Sequence, residues 1–448
     1  GIPGFPCEGQ LFNHIPGEEH IGVKDKLVVA LREYQERLDA ITPTQQQQQQ
    51  GGKDDFQSNQ DGDHCFPPHG LQPKTFLISK PEDCQALFRD DLKTWGSSRS
   101  LSDGSQIAYI SKHATRHNGK ALMLYSLSDM EVLSHIFEGG RACSKPLIRH
   151  HYQFFPGVMP TRATPIKEIR LKNRTLTQMM EECDRARTCN AFTSTGVLMH
   201  VDTGPETFDT VSADLRHGMY IRRPSRNTYL KPILPHVLIQ RFMPNPLTID
   251  GGHKFDLRVY MIVASTSPFL AFYHPGFLRV SLSKYDALDP HRSSHITNTA
   301  LAKAKFKNNT ELAKFQMRSF EQLQESMLEE GFIDDPNWVR NHLEPSIKRT
   351  MVHILKAVHP KMIKRRGLFG VFGCDFMIDS NMKIWFIEAN RSPAFQGTTE
   401  AKGRLQRSML HQVMALEEMF QSSGGFEELK DFDLGQLQPI LYIPSIDS

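Results

Sequence analysis

Alternation of apolar and polar positions is sharpest between residues 236 and 390. In KFDLRVYMIV, starting at Lys254, a period of two puts Phe255, Leu257, Val259 and Met261 on one side. Lys254, Asp256, Arg258 and Tyr260 take the other. The pattern predicts a strand over 254–265. Companions are expected over 236–243 (HVLIQRFM) and 269–283 (FLAFYHPGFLRVSLS), the latter turning at Pro275-Gly276. Two more strands are expected over 371–378 and 383–389, around the turn residues Asp379-Ser380-Asn381. Shorter ones fall at 75–79, 107–112 and 121–125.

Helical spacing takes over elsewhere. Leu27, Leu31, Tyr34 and Leu38 share a face over 24–40. A helix is expected over 310–330, ending at Gly331, and another over 345–359 with Ile347, Met351, Ile354, Leu355 and Val358 inward. The last covers about 402–420, before Ser422-Ser423-Gly424-Gly425 loosens the chain into an acidic tail. Residues 141–235 are poorly periodic and rich in Arg, His and Thr, and read as a long, partly irregular insertion. The pattern as a whole predicts an α+β architecture.

The chain has 448 residues, enough for two or three lobes. Its hydrophobic content of 39% and charged content of 23% suit a globular protein. Nothing approaches the roughly 20 consecutive apolar residues of a membrane span. QQQQQQGG and the polar stretch after it read as a low-complexity linker over 45–70. The opening GIPGFPCEGQ has neither an initiating Met nor a signal-peptide layout, as expected of a fragment or trimmed chain. Seven cysteines without a CxxC argue against a disulfide framework and for a reducing, cytoplasmic setting. A net charge of +3 implies no nucleic-acid partner but allows a local basic surface for an acidic one. Arg222, Arg223 and Arg226, or Lys361, Lys364, Arg365 and Arg366, could form it; a solvated surface would read the same way.

The run GVFGCDFMIDSNMKIWFIEAN, residues 370–390, should be core, yet it holds Asp375, Glu388 and Asn390. A buried carboxylate needs a proton, a hydrogen bond or a metal to replace its hydration. With a loop of two or four residues, Asp375 lies opposite Phe386 and becomes a diagonal neighbour of Glu388. Such a pair can share a hard divalent cation through oxygen ligands. A three-residue loop shifts the register and breaks this geometry. The alternative is a sheet edge where the acids meet solvent, Lys or Arg.

Two further constellations stand out. The wall of Lys254, Asp256, Arg258 and Tyr260 lies on a strand expected to be central, where a charged face usually meets a cleft, although a solvent-exposed face would give the same pattern; Arg279 would add a cation. In IAYISKHATRHNGKALMLY a strand ends in Lys112, and a polar loop with Gly119-Lys120 leads into the next strand, the layout of a flap over phosphates. His113 with His117, and His150-His151, lack companions at metal-ligand spacing and read as ordinary polar residues. Together the charged pieces suit ATP with magnesium.

KFDLRVYMIVAS, FLRVSL, HITN at 295–298 and GCDFMID…WFIEANRSPAF resemble the core motifs of the tubulin–tyrosine ligase-like family. FNHIPGEEHIGVKDKL, LQPKTFLI and YISKHATRHNGKALML resemble its N-terminal motif, its first strand and its ATP flap. The resemblance implies an ATP-grasp fold with N-terminal (1–44), central (71–140) and C-terminal (236–423) lobes, nucleotide in the cleft between the last two, an insertion over 141–235 and a tail over 424–448. It implies that Lys112 and Lys254 contact ATP phosphates, with Gly119 in the flap, and that Gln240, Arg241, Phe242 and Met243 lie against adenine. Asp375, Glu388 and Asn390 would hold Mg²⁺. Arg258 and Arg279 would stabilise an acyl-phosphate, Asp256 would sit near ribose or substrate, and His295, Thr297 and Asn298 would line the edge.

The implied reaction adds a free amino acid, glutamate or glycine rather than tyrosine, to a glutamate carboxylate of tubulin or another acidic protein tail. A cytoplasmic, cytoskeletal or ciliary setting follows from that. The chain departs from the family's pattern at His113 and Ala121, where a proline and a glycine are usual, and at Pro275-Gly276, where an acid is often found. These departures leave room for a catalytically weak or inactive member that binds nucleotide or microtubules.

Overall fold

The computed structural model describes residues 11, 13–40, 70–94, 106–114, 122–144, 147–149, 151–160, 163–168, 175–186, 188–201, 208–210, 214–223, 237–243, 245–289, 295, 297, 310–395, 399–423, 429 and 432–444. The expected linker, to residue 69, lies outside them, as do Gly119, Ala121, Arg226 and Asn298. The chain divides into two compact units. One is Gly1–Pro73, Asn245–Tyr285 and Ser293–Ser448; the other is Lys74–Pro244 with Asp286–Arg292.

The first unit is built on a seven-stranded antiparallel sheet. Along it run Met317–Arg318, Phe269–Lys284, His253–Thr266, Gly370–Ile378 and Ile384–Asn390, with Thr248–Ile249 and Gln438–Ile443 pairing at the sides. The long central strand obeys its alternation. Phe255, Leu257, Val259, Met261 and Val263 enter a core shared with Leu27 of helix Lys24–Asp39, Leu323 of Phe320–Glu329, and Ile347, Met351 and Ile354 of Glu344–Val358. On the opposite face the charged positions give way at Tyr260 to Ile262 and Ala264, which pack with Met409, Val413 and Leu416 of helix Glu400–Ser423.

Pro275-Gly276 is not a turn. Phe269–Lys284 is one strand, and opposite Val259 the register slips: Tyr260 faces His274 but Arg258 faces Phe277. The extra residue is a β-bulge, and it flips the alternation. Before it, even-numbered Leu270 and Phe272 lie on the helix Glu400–Ser423 side; after it, odd-numbered Phe277 does. Arg279 is thereby carried to the face of Asp256 and Arg258, while Leu278 and Val280 stay in the main core. Glycine is required here, because a Cβ on Gly276 would overlap the carbonyl of Arg258.

The expected 310–330 helix is two, Thr310–Gln316 and Phe320–Glu329. Met317–Arg318 leaves the helical path to pair with Leu278–Arg279, and Ser319 restarts the helix through a capping box with Gln322. The expected loose tail also folds back, Gln438–Ile443 pairing with Phe269–Tyr273, with Leu429 and Leu437 buried.

In the second unit a four-stranded antiparallel sheet runs Thr75–Leu77, Val237–Arg241, Ile107–His113, Leu122–Ser126. Phe76, Tyr109, Tyr125, Val237 and Ile239 pack on one side with Cys84, Leu87, Phe88, Met130 and Leu133. Residues 141–235, expected to be partly irregular, hold a six-stranded antiparallel sheet. Helix Leu176–Arg185 packs Met179, Met180 and Cys183 with Tyr152, Phe192 and Leu198; Phe155, Met199, Met219 and Ile221 form a second core.

The cysteine reading is corrected here. Cys84 is bridged to Cys143 and Cys183 to Cys189, with Cα atoms 5.7 and 5.2 Å apart; Cys374 is free and buried. Sequence spacing could not show this, because the bridge depends on approach in space. The odd cysteine count reflects Cys374 together with Cys7 and Cys65, which lie outside the described residues.

Candidate active site

In the first unit the charged wall is a network rather than a row of independent charges. Register sets Asp256 opposite Arg279, and Arg258 opposite Asp375. Arg258 grips Asp375 with two bonds, Nε to Oδ1 at 2.5 Å and Nη2 to Oδ2 at 3.0 Å. Arg279 bridges both acids, Nε to Asp256 Oδ1 at 2.5 Å and Nη2 to Asp375 Oδ2 at 2.9 Å. Thr297 donates its hydroxyl to Asp256. Asp256, Arg279 and Asp375 are all buried.

Two fixed guanidinium groups make that burial tolerable for Asp375. Burial alone would raise its pKa, but Arg258 and then Arg279 outweigh it and hold the carboxyl down at about 2. Asp256 moves the other way: burial dominates, with Arg279 opposing it, and its pKa is raised. Lys254 is buried, donates Nζ to the carbonyl of His295 at 2.9 Å and lies 5.5 Å over the Tyr285 ring.

The acidic edge reaches its geometry by a route the sequence did not reveal. Ile378 pairs with Ile384, leaving a five-residue loop, 379–383. An odd loop alone would set the two acids on opposite faces. A bulge restores the alignment: Phe376 faces Phe386, but Asp375 faces Glu388 and Gly373 faces Asn390. Asp375 is therefore opposite Glu388, not Phe386 as expected, and Asp375, Glu388 and Asn390 share a face.

Two carboxylates and an amide oxygen suit a hard cation. A carboxylate offers about four lone-pair positions, and the bonds from Arg258 and Arg279 to Asp375 use two on Oδ2 and one on Oδ1. Oδ1 keeps one. Glu388 is held loosely, with Lys24 Nζ 3.8 Å from Oε2. The donor types suit a hard cation, while the contacts formed in these residues are those of the expected alternative, acids paired by Arg and Lys.

In the second unit, Lys112 Nζ donates to Gln240 Oε1 at 3.0 Å and Gln240 Nε2 to Thr75 Oγ1 at 2.8 Å, on the sheet face away from the Tyr109 core. Arg241 points to the other face. Its Nε meets Asp91 at 3.1 Å, and Asp91 also accepts from Lys74 and Tyr109. Phe242 is buried and Met243 half-buried.

The basic cluster Arg222-Arg223 is not an open surface. Arg222 Nη2 is bonded to Asp184 Oδ1 at 2.7 Å and to the Cys183 carbonyl at 2.9 Å, and Arg223 is buried. Lys361 is paired with Glu33 at 2.6 Å, whereas Lys364 and Arg366 are exposed. Sequence reasoning missed Lys24 at the acidic edge and Tyr285 beneath Lys254. Lys24 lies inside a motif already singled out, but its period-3.6 context pointed only to a helix.

Comparison with known proteins bears on this site. The profile of the tubulin-tyrosine ligase family matches residues 212–423, the stretch that carries the whole charged network of the first unit apart from Lys24. The inactive polyglycylase TTLL10 of Homo sapiens is 34% identical over 168 residues, covering 36% of this chain and 24% of that protein. The protein polyglycylase TTLL10 of Macaca fascicularis is 32% identical over 192 residues, 42% of this chain and 30% of that one. The tubulin polyglutamylase ttll6 of Danio rerio is 27% identical over 237 residues, 47% of this chain and 29% of that one. The matches thus span less than a third of these relatives' own lengths. Over residues 212–423 the chain is similar to the tubulin-tyrosine ligase family.

Proposed function

We propose that this chain carries the ligase centre of an ATP-dependent enzyme that joins a free amino acid, glycine or glutamate, to a glutamate carboxylate of tubulin or another acidic protein tail. The observation that supports it most is the linked network of Arg258, Arg279, Asp256 and Asp375 beside Glu388 and Asn390. In such a reaction a carboxylate oxygen attacks the γ-phosphorus and ADP leaves; the amine then attacks the acyl carbon and phosphate leaves. Both steps build negative charge on oxygen, and preorganised cations lower that barrier because they need not reorient. Arg258 and Arg279 are fixed by Asp375 and Asp256, so their remaining N–H groups are available in a set direction. No nucleophilic side chain is needed.

ATP contacts are assigned to Lys112, Lys254, Gly119, Gln240, Phe242, Met243 and Asn298, and to Arg241 through its backbone alone because its side chain is turned to Asp91 on the other face, within an ATP-grasp fold with lobes over 1–44, 71–140 and 236–423. The polar face bearing Lys112 and Gln240 supports this. Asp375, Glu388 and Asn390 would hold Mg²⁺, which when bound neutralises phosphate charge. Glycylase and polyglutamylase relatives favour glycine or glutamate as the donor, and tubulin as the partner, at the cytoskeleton or cilium. Among the described residues no helix is long and apolar enough to cross a membrane.

A second reading, a member that binds without turnover, is favoured by the likeness to a human protein named inactive and by His113 and Ala121. Intact-mass and tail-peptide spectrometry separates the two. Tubulin is incubated with the chain, MgATP and a mixture of Glu, Gly and Tyr. Added mass on a tail glutamate is the expected result and names the donor. MgATP binding with no added mass would replace the ligase reading by the binding one.

A further inference from the structure

The motif FNHIPGEEHIGVKDKL contributed no side chain to the mechanism above, yet it ends at the acidic edge. Its turn is fixed: the Glu18 carboxylate accepts from the Ile15 amide at 3.2 Å, and Ile15 and Ile21 are buried in the main core. Gly22 presses on Arg391, the residue after Asn390; a Cβ there would lie 2.9 Å from the Arg391 Cβ. Two residues later, Lys24 opens the helix Lys24–Asp39 with its Nζ 3.8 Å from Glu388 Oε2. Both side chains are largely covered, at 12% and 26% exposure.

The two acids of the cross-strand pair are therefore held very differently. Asp375 accepts close, directional bonds from two rigid guanidinium groups. Among the described residues Glu388 faces one ammonium, beyond hydrogen-bond reach, so that contact is Coulombic and tolerates displacement. Lysine suits such a role, being a compact charge on a four-carbon stem that can swing away while its root stays anchored.

We infer that Lys24 is a built-in counter-cation for Glu388 that a divalent cation must displace, which makes it a positioning residue that sets the site's cation affinity. The inference rests on Asp375, Glu388 and Asn390 being the cation ligands. An ammonium and a divalent cation at one half-buried carboxylate repel, so each weakens the other.

The test uses the whole chain without nucleotide and Mn²⁺ as the probe, read by calorimetry. Lys24→Met should bind Mn²⁺ about two- to fivefold more tightly than the parent, and Lys24→Arg should stay near it. Amine acylation read by peptide mass spectrometry needs no variant at Lys24: Mg²⁺ should raise Lys24 labelling several-fold in the parent and leave it unchanged in Glu388→Gln. Unchanged or weaker Mn²⁺ binding in Lys24→Met, or labelling indifferent to Mg²⁺, overturns the inference while the ligand set stands. Failure of the parent to bind Mn²⁺ at all overturns both together.

Discussion

Asp375 and Glu388 face each other across two strands, and their surroundings set opposite expectations for substitution. Asp375 is buried and held by Arg258 and Arg279. Asp375→Asn leaves both guanidinium groups without their counter-charge, which should cost about 3 kcal/mol of stability in urea unfolding. The same pairing gives a pH signature. The folded carboxyl titrates at about 2, against roughly 3.9 unfolded. A depressed carboxylate stabilises the fold above its unfolded pKa, and that contribution is lost as pH falls from about 4 toward about 2. Asp256, raised by burial, takes up its proton earlier in the folded state and partly offsets the loss. Unfolding midpoints between pH 6 and pH 2.5 should therefore fall less steeply in Asp375→Asn than in the parent. Glu388→Gln removes only a loose pair, so its stability should stay within about 0.5 kcal/mol, while ligation drops by ~10³-fold or more through loss of a cation ligand. Normal turnover in Glu388→Gln would remove Glu388 from the site. Alternation in KFDLRVYMIV made these charges legible as one face. It could not show that the acids and arginines cross-link, because side-chain reach between strands is not written in either strand.

At the level of elements, the site depends on two bulges. The slip at Pro275-Gly276 brings Arg279 round to Asp256, and the slip after Asp375 compensates the odd five-residue loop and brings Glu388 opposite it. Strand positions were readable because each strand has an apolar face to bury. The bulges were not, since Pro-Gly reads as a turn by local chemistry and only the partner strand reveals that the chain runs straight through. Gly276→Ala tests the first bulge. Its Cβ would overlap the Arg258 carbonyl, so backbone must move at the point where Arg258 and Arg279 are aligned. A loss of about 2–4 kcal/mol in unfolding free energy is expected, together with loss of ligation exceeding what the unfolded fraction explains. Ligation that merely follows the folded fraction would mean the arginines are positioned without the bulge. Helix 310–330 failed as a single element for a related reason. Its apolar spacing continues through Met317–Arg318, but pairing with Leu278–Arg279 competes there and Ser319 supplies a fresh cap.

At the scale of the molecule, the two units differ in what holds them. The site-bearing sheet of the first unit is covered by long helices with clear period-3.6 faces, and the pattern of the chain disclosed both strands and helices there. In the second unit the four-stranded sheet matches the expected strands, whereas the six-stranded sheet within 141–235 and two disulfides were concealed, the first by short, poorly periodic strands and the second by spacing. Cys84–Cys143 spans a separation of 59 residues and Cys183–Cys189 one of 6. By loop-closure entropy the first should contribute about 4 kcal/mol and the second about 2. Reductant should therefore loosen the second unit alone, since the described cysteine of the first unit, Cys374, is unbridged. Hydrogen exchange followed by mass spectrometry gives the reading by segment. Protection should fall over 75–91, 107–113 and 122–143 and hold over 253–284 and 370–390. Because Lys112 and Gln240, the proposed ATP contacts, sit on the bridged unit's sheet, ATP affinity should weaken in reductant while Mn²⁺ affinity at the proposed ligands Asp375 and Glu388 stays constant. Equal protection in both redox states would show that packing holds the second unit without the bridges, which would remove the tension between two disulfides and a cytoplasmic setting.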